Sequence, residues 1–157
     1  MSFKLIGGAI ILLLAAALAD GLNKKEEAKS AQIKAITALL KFFRTQIDLY
    51  CAPVGEIFHR ADEKLLSDCA CKKTPENFDD FILSLERDPG ERTREVLSSF
   101  AAELGSSYKE EQLKSIDHHI SQMAEISAVA SEETKKKKKL CTALCLSAAA
   151  LIVILLI

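Results

Sequence analysis

Residues that interrupt helices are scarce in this 157-residue sequence, which contains three prolines and six glycines. No segment of useful length alternates apolar and polar residues as a half-buried strand would. These two absences exclude a fold built on sheets. The sequence therefore predicts an all-α protein.

Charged residues are almost absent from both ends of the chain. Residues 1–22 contain only Lys4 and Asp20, and residues 140–157 contain no charged residue at all. Eighteen helical residues span about 27 Å, close to the thickness of a bilayer's hydrocarbon core. We expect transmembrane helices at residues 1–22 and 140–157, on either side of a helical domain formed by residues 23–139.

The lysines predict how these segments are oriented. Residues 135–139 are five consecutive lysines directly before the second segment, and four more lysines lie within residues 23–34. Lysines flank the cytoplasmic ends of membrane spans, which predicts a chain in the cell membrane with its central domain in the cytoplasm. The first segment also fits a secretory signal peptide. In that alternative, an exported helical domain would be held by its C-terminal anchor.

Five amphipathic helices are predicted between the two ends. Apolar residues recur there every three or four positions, in stripes that begin at Ile33, Val54, Phe78, Val96 and Leu113. Pro53 ends the first helix, and Gly105 is placed to close the fourth in a left-handed conformation. The expected N-terminal caps are Asn23 with Glu26, Thr74 before Pro75, and Ser107 with Glu110. Short connections between such helices predict an antiparallel bundle.

Recognisable catalytic motifs are missing as well. The sequence has no glycine-rich phosphate loop, no Gly-x-Ser-x-Gly and no His-Glu-x-x-His. Cys69 and Cys71 are separated by one residue, unlike the two to four of common zinc hairpins. His118 and His119 lie in a predicted helix, with His119 on its apolar stripe. We predict no catalytic residue, metal, cofactor or small-molecule substrate, and therefore no enzyme activity.

An excess of acidic residues characterises most of the central part. Residues 53–134 contain nine basic and eighteen acidic residues, a net charge of −9. This charge would repel phosphate backbones and argues against nucleic-acid binding. It favours a partner with a basic surface. The candidate contact residues lie around the short helix whose inward stripe begins at Phe78, and they are Glu76, Asp79, Asp80 and Glu86. The alternative is that these acids only solvate the domain.

The order of these parts resembles stage III sporulation protein AB of endospore-forming bacteria. The resemblance rests on Leu5-Ile6-Gly7-Gly8, the stretch from Ile33 to Ile47, Pro53-Val54-Gly55-Glu56-Ile57-Phe58, Leu97-Ser98-Ser99-Phe100 with Leu104-Gly105 and Gln112, and the lysine run before the apolar tail. It implies a cytoplasmic domain similar to the platform (F) proteins of type II secretion and type IV pilus machines.

The resemblance also implies a place in the cell and a set of partners. The chain would be a structural or adaptor subunit of the complex that links mother cell and forespore, anchored in the mother-cell membrane facing the forespore. An ATPase and further membrane subunits of stage III sporulation would be its partners, and self-association stays open. The alternative is an unrelated membrane-tethered helical regulator.

Overall fold

Six helices make up the computed structural model, which describes the backbone of residues 2–156 and the side chains of residues 13–154 except 15 and 153. Their bounds are α1 Ser2–Tyr50, α2 Val54–Arg60, α3 Glu63–Asp68, α4 Phe78–Ser84, α5 Glu91–Glu103 and α6 Lys109–Leu156. Within these described residues the β structure is limited to an isolated antiparallel bridge between Cys71 and Leu85. The predicted all-α class is confirmed.

The chain divides into two compact units, to which α1 and α6 both contribute. The central unit comprises Lys29–Val129, and the helix-pair unit comprises Met1–Ala28 together with Ala130–Ile157. No proline interrupts α1 between its two parts, and Gly21 is accommodated inside the helix. The predicted helix start at Asn23 is therefore wrong, because Asn23 lies within a continuous helix rather than at a cap.

An aromatic cluster forms the core of the central unit. The ring of Phe43 on α1 lies edge-on to those of Phe58, Phe78 and Phe100, with centroid distances of 4.9, 5.5 and 6.2 Å. Phe81 stacks on Phe58 at 5.7 Å. All five side chains are buried. Edge-to-face packing of this kind adds to the free energy gained by burying the rings.

The predicted helix that starts after Pro53 is two helices. The chain turns extended at Ala61, which ends α2, and Asp62 then caps α3 by accepting a hydrogen bond from the Lys64 amide at 3.0 Å. A carboxylate that accepts from a free amide of the first turn favours a new helix start. The apolar spacing continues across this break, which is why the pattern alone did not reveal it.

Two predicted caps are displaced by a few residues. Asn77, not Thr74, caps α4 through a 2.8 Å bond from the Asp80 amide. The last helix begins at Lys109, so Tyr108 rather than Ser107 stands at its cap position. The prediction for Gly105 is confirmed, since its φ of +81° is the left-handed conformation that glycine adopts without strain.

The two parts of the helix-pair unit run antiparallel. Glu27 pairs with Lys138 at 2.6 Å, and Glu26 pairs with Lys137 at 3.1 Å. The side-chain amide of Asn23 donates to the Thr142 hydroxyl at 3.5 Å. The described side chains buried in this unit are Ala19, Asn23 and Ala149. Larger apolar side chains point outward, among them Leu14, Leu18, Leu144 and Leu151.

Across the part of the chain that is described, none of the helices combines the length and apolar character needed to cross a membrane. The transmembrane helices predicted at both ends are thus not found among the described residues. The side chains of residues 1–12 and 15, which belong to the first predicted span, lie outside the described residues. The same holds for residues 153 and 155–157 of the second.

Candidate partner surface

Helix α4 presents part of the predicted acidic surface. Its buried face carries Phe78 and Phe81, which belong to the aromatic cluster. Because side chains one position apart point in different directions on a helix, Asp79 is turned outward and is exposed. Glu76, just before the helix, is exposed as well. These two carboxylates match the predicted surface most closely.

Asp80 has a structural role in the loop that precedes α4. Its carboxylate accepts a hydrogen bond from the Glu76 amide at 3.2 Å and pairs with the Lys73 ammonium at 3.1 Å. The amide bond and then the lysine lower the pKa of Asp80 below its usual value. Only about a quarter of its side chain is exposed, at 26%. Asp80 therefore holds the loop in place rather than facing a partner.

Glu86 follows the C-terminal end of α4 and also forms an ion pair. Its carboxylate is 3.5 Å from the Lys72 ammonium, and its amide donates to the Ala70 carbonyl at 2.9 Å. Lys72 and Lys73 thus partly neutralise the acidic region. The structure divides the four predicted residues into two that are ion-paired, Asp80 and Glu86, and two that are exposed without an ion pair to any described residue, Glu76 and Asp79.

The loop that carries these lysines is fixed by a buried glutamine that the sequence analysis missed. Gln32 on α1 donates from its amide nitrogen to the Cys69 carbonyl at 3.1 Å and to the Arg87 carbonyl at 2.9 Å. Its side chain is fully buried. One bond reaches each of the segments that flank α4, so Gln32 positions the acidic helix. The signal was a polar residue one turn before Ile36 on the apolar stripe.

A left-handed residue shapes the same loop. Ala70 has a φ of +60°, an unusual conformation for a residue with a Cβ atom. It lets the chain turn after α3, so that Cys71 pairs with Leu85 in the isolated bridge. The Cys71 thiol lies 2.8 Å from the Ser84 hydroxyl. The loop is therefore bonded to the C-terminal end of α4 by main-chain and side-chain contacts.

The cysteines and histidines considered as metal ligands are dispersed. Cys69 is buried, and burial raises the pKa of its thiol to about 12, which disfavours the thiolate that binds zinc. Its neighbour Cys71 is instead half-buried against Ser84. Among the residues described, no three His, Cys, Asp or Glu side chains are grouped closely enough to hold a metal ion.

His119 is a core residue, as its place on the apolar stripe predicted. It is buried, its ring packs edge-on to Phe100 at a centroid distance of 5.6 Å, and its Nδ1–H donates to the Ser115 carbonyl at 2.8 Å. His118 points to solvent. The neighbouring pair therefore provides one packed ring and one exposed ring.

Exposed aromatic and apolar side chains near the end of α1 form a feature that the sequence analysis did not single out. Tyr50 is 63% exposed and Leu49 is 69% exposed. Lys109 at the start of α6 donates to the Asp48 carbonyl at 2.6 Å, which brings the 89% exposed Tyr108 to this part of the central unit. Exposed tyrosines are common in protein interfaces.

Comparison with known protein families finds a match to one family model. Residues 83–157 match the model of the family described as stage III sporulation protein AB. The matched stretch includes α5, α6 and the lysine run, while the acids at 76, 79 and 80 precede it. No curated protein and no solved structure is significantly similar to the chain. The resemblance inferred from the sequence is confirmed over residues 83–157, where the chain is similar to the family of stage III sporulation protein AB.

Proposed function

We propose that this chain is a sporulation protein, a non-enzymatic, membrane-anchored structural or adaptor subunit of the secretion-like complex that links mother cell and forespore. In this role it would be required for the development of the engulfed forespore. The observation that carries the proposal is the family match over residues 83–157, which includes α6 and its lysine run. The mother-cell membrane facing the forespore would hold the chain, with the central unit in the cytoplasm.

The packing of the helix-pair unit supports membrane anchorage. The buried apolar side chains in its described part are small, Ala19 and Ala149, while Leu18 and Leu144 face outward with 66% and 59% exposure. Helices in lipid associate through small residues because lipid tails solvate leucine as well as a protein core does. The two ion pairs that join α1 to α6 in this unit involve the lysine run. Lysines next to a membrane span favour the cytoplasmic side, so these pairs would lie at the cytoplasmic end of the unit.

The construction of the central unit supports an adaptor rather than an enzyme. Its interior is filled by five phenyl rings and aliphatic side chains. The ATP hydrolysis that a transport machine needs would then come from a partner subunit. A unit of this kind contributes to an assembly by presenting a surface. Glu76 and Asp79 are the best candidates for such a contact, since the other two predicted acids are already paired with lysines.

A charge-reversal experiment tests the contact. Replacing Glu76 and Asp79 by lysine should preserve helix content and membrane association but weaken co-purification with the ATPase or another stage III subunit, most strongly at low salt. Asp80 is left unchanged because it holds the loop through the Glu76 amide. The matched control reverses Glu95 and Glu111, which are exposed and distant in sequence. Equal co-purification of both variants across a salt series would move the contact elsewhere, with Tyr50 and Tyr108 as the next candidates.

A topology experiment separates this proposal from an exported domain held by its C-terminal anchor. The exposed Cys51 is a suitable reporter, whereas Cys69 is buried and protonated and would resist labelling on either side of a membrane. With Cys71, Cys141 and Cys145 replaced by serine, Cys51 should react with an impermeant maleimide only after the cells are permeabilised. Labelling in intact cells would support export. The Cys51→Ser version gives the background.

Alkaline-phosphatase fusions provide an independent check of the same topology. A fusion after Ile157 should be active and a fusion at Arg92 inactive, because the lysine run keeps the central unit on the cytoplasmic side. The opposite pattern would overturn the proposed orientation. An unrelated membrane-tethered regulator would share this topology, and it would differ by failing to co-purify with stage III subunits.

A further inference from the structure

A groove in the helix-pair unit combines an apolar floor with a basic rim. Its volume is about 620 Å³, and it is lined by Lys135, Lys138, Lys139, Thr142, Ala143 and Leu146 of α6. The three lysines precede the three uncharged residues along the helix, so charge and apolar surface occupy opposite ends. From Lys139 to Leu146 the helix rises by about 10 Å.

The lysines of the groove differ in whether their charge is already compensated. Lys138 donates to the Glu27 carboxylate at 2.6 Å, and this bond raises the pKa of Lys138. Neighbouring Lys137, outside the groove, is paired with Glu26. Lys135 and Lys139 are exposed and form no ion pair with any described residue. The rim therefore retains two ammonium groups that can bind an anion.

We propose that this groove binds an anionic phospholipid, with the phosphate at Lys135 and Lys139 and one acyl chain along Ala143 and Leu146. The inference rests on the membrane anchorage proposed above, and it adds a preference for one lipid class. Charge complementarity selects the occupant: two uncompensated lysines attract a headgroup with a net negative charge, whereas in a zwitterionic lipid the choline cation offsets the attraction of the phosphate. Long lysine side chains reach the phosphate level while their stems stay against apolar surface.

The Thr142 hydroxyl does not compete for the headgroup. It donates to the Lys138 carbonyl at 2.9 Å and accepts from the Asn23 amide at 3.5 Å. It therefore contributes its methyl group to the floor of the groove. Beyond Lys139 the lining is then effectively apolar, as an acyl chain requires.

The absence of tryptophan from the sequence makes a sensitive test available. In the full chain, Leu146→Trp places a unique fluorophore in the groove, while Leu144→Trp places it on a residue that is exposed and does not line the groove. Each variant is reconstituted in phosphatidylcholine vesicles with a minor fraction of acyl-brominated lipid. That lipid is either phosphatidylglycerol or phosphatidylcholine, brominated at the same acyl carbons. Because bromine quenches tryptophan only on contact, quenching reports which lipid occupies the groove.

We expect brominated phosphatidylglycerol to quench Trp at position 146 at least about twofold more than brominated phosphatidylcholine, and both lipids to quench Trp at position 144 equally. Adding Lys135→Gln and Lys139→Gln to the Leu146→Trp chain should abolish the difference. Adding Lys25→Gln and Lys136→Gln, which removes the same charge outside the groove, should preserve it.

The outcomes distinguish the lipid site from the anchorage on which it rests. A chain that fails to float with the vesicles and is released by alkaline carbonate overturns the anchorage and the lipid site together. A chain that floats but shows equal quenching by both lipids at position 146 overturns the lipid site alone. Selectivity that falls equally in both double-lysine variants would show a general surface-charge effect and would also overturn the site.

Discussion

The two units of this chain use the same pair of long helices in different ways. In the central unit, α1 buries Ile36, Leu40 and Phe43 completely against its neighbours. In the helix-pair unit, the same helix leaves Leu14 and Leu18 exposed. One helix therefore passes from a region held by apolar burial to a region where its described leucines are mostly exposed.

The difference indicates where folding stability resides. Burying an aromatic or leucine side chain contributes about 2 kcal/mol, so the central unit gains most from its core. The described part of the helix pair has small buried apolar side chains, a hydrogen bond and exposed ion pairs. Exposed ion pairs contribute little to the free energy of folding in water. The proposed membrane anchorage would give the exposed leucines of the helix pair an apolar environment.

The largest expected effect comes from truncating the centre of the aromatic cluster. Phe43→Ala removes a ring that touches three others, and it should lower the free energy of unfolding by about 3–5 kcal/mol. Urea unfolding of the full chain in mild detergent, followed by circular dichroism, measures the change. Leu18→Ala in the helix pair is the control and should cost less than about 0.5 kcal/mol. Equal losses of unfolding free energy in the two variants would show that the central unit does not depend on apolar burial more than the helix pair does.

Alkaline pH should weaken the central unit through Cys69. Burial raises its thiol pKa from 9.0 to about 12, so the folded state retains a proton that the unfolded state loses. The stability that the protonated Cys69 contributes is thus fully present below pH 9 and decreases as the pH rises towards 12. At pH 11 the loss of unfolding free energy should be about 3 kcal/mol. The measurement compares the pH dependence of the unfolding free energy with that of Cys69→Ala. Parallel curves would show that Cys69 ionises freely in the folded protein.

A smaller effect is expected at the glutamine that holds the loops around α4. Gln32→Ala leaves the Cys69 and Arg87 carbonyls without the amide that bonds them, and we expect a loss of about 2 kcal/mol. Loss of amide protection in hydrogen exchange should concentrate in residues 69–90. Lys34→Ala, a larger truncation at an exposed position of the same helix, should change neither quantity. Uniform loss of protection would show that Gln32 supports the whole core instead.

The smallest effect is expected from the half-exposed ion pairs of the central unit. Arg44 bonds to Asp117 at 2.6 Å and to Asp48 at 3.3 Å. Arg44→Gln should lower the free energy of unfolding by less than Gln32→Ala does, and this loss should be smaller in concentrated salt. A double-mutant cycle with Asp117→Asn isolates the pair. A coupling that persists at high salt would show that these charges are less screened than their exposure indicates.

Helix positions and buried faces could be read from the sequence because apolar spacing reports them directly. The stripe through Ile33, Ile36, Leu40, Phe43 and Ile47 is buried along its whole length. Helix ends were harder to predict. Thr74 and Asn77 are both residue types that cap helices, and the helix begins after Asn77. Pro75 and Phe78 are both buried in this arrangement, and their burial depends on tertiary packing rather than on local sequence.

The acidic surface was only half predictable for a similar reason. The helical spacing placed Asp79 outward, and the structure agrees. The pairing of Asp80 with Lys73 and of Glu86 with Lys72 depends on the path of the loop after α3. That path is set by the left-handed Ala70 and by the bridge between Cys71 and Leu85, neither of which leaves a periodic signal.

Affinity purification from detergent-solubilised membranes of sporulating cells tests the proposed adaptor role most directly. The full chain carries a tag, and the recovered proteins are identified by mass spectrometry, with cells that carry the untagged chain as the control. We expect the stage III ATPase and further stage III membrane subunits to be enriched with the tagged chain and absent from the control. Recovery of the intact chain without any stage III subunit would contradict the proposed adaptor role.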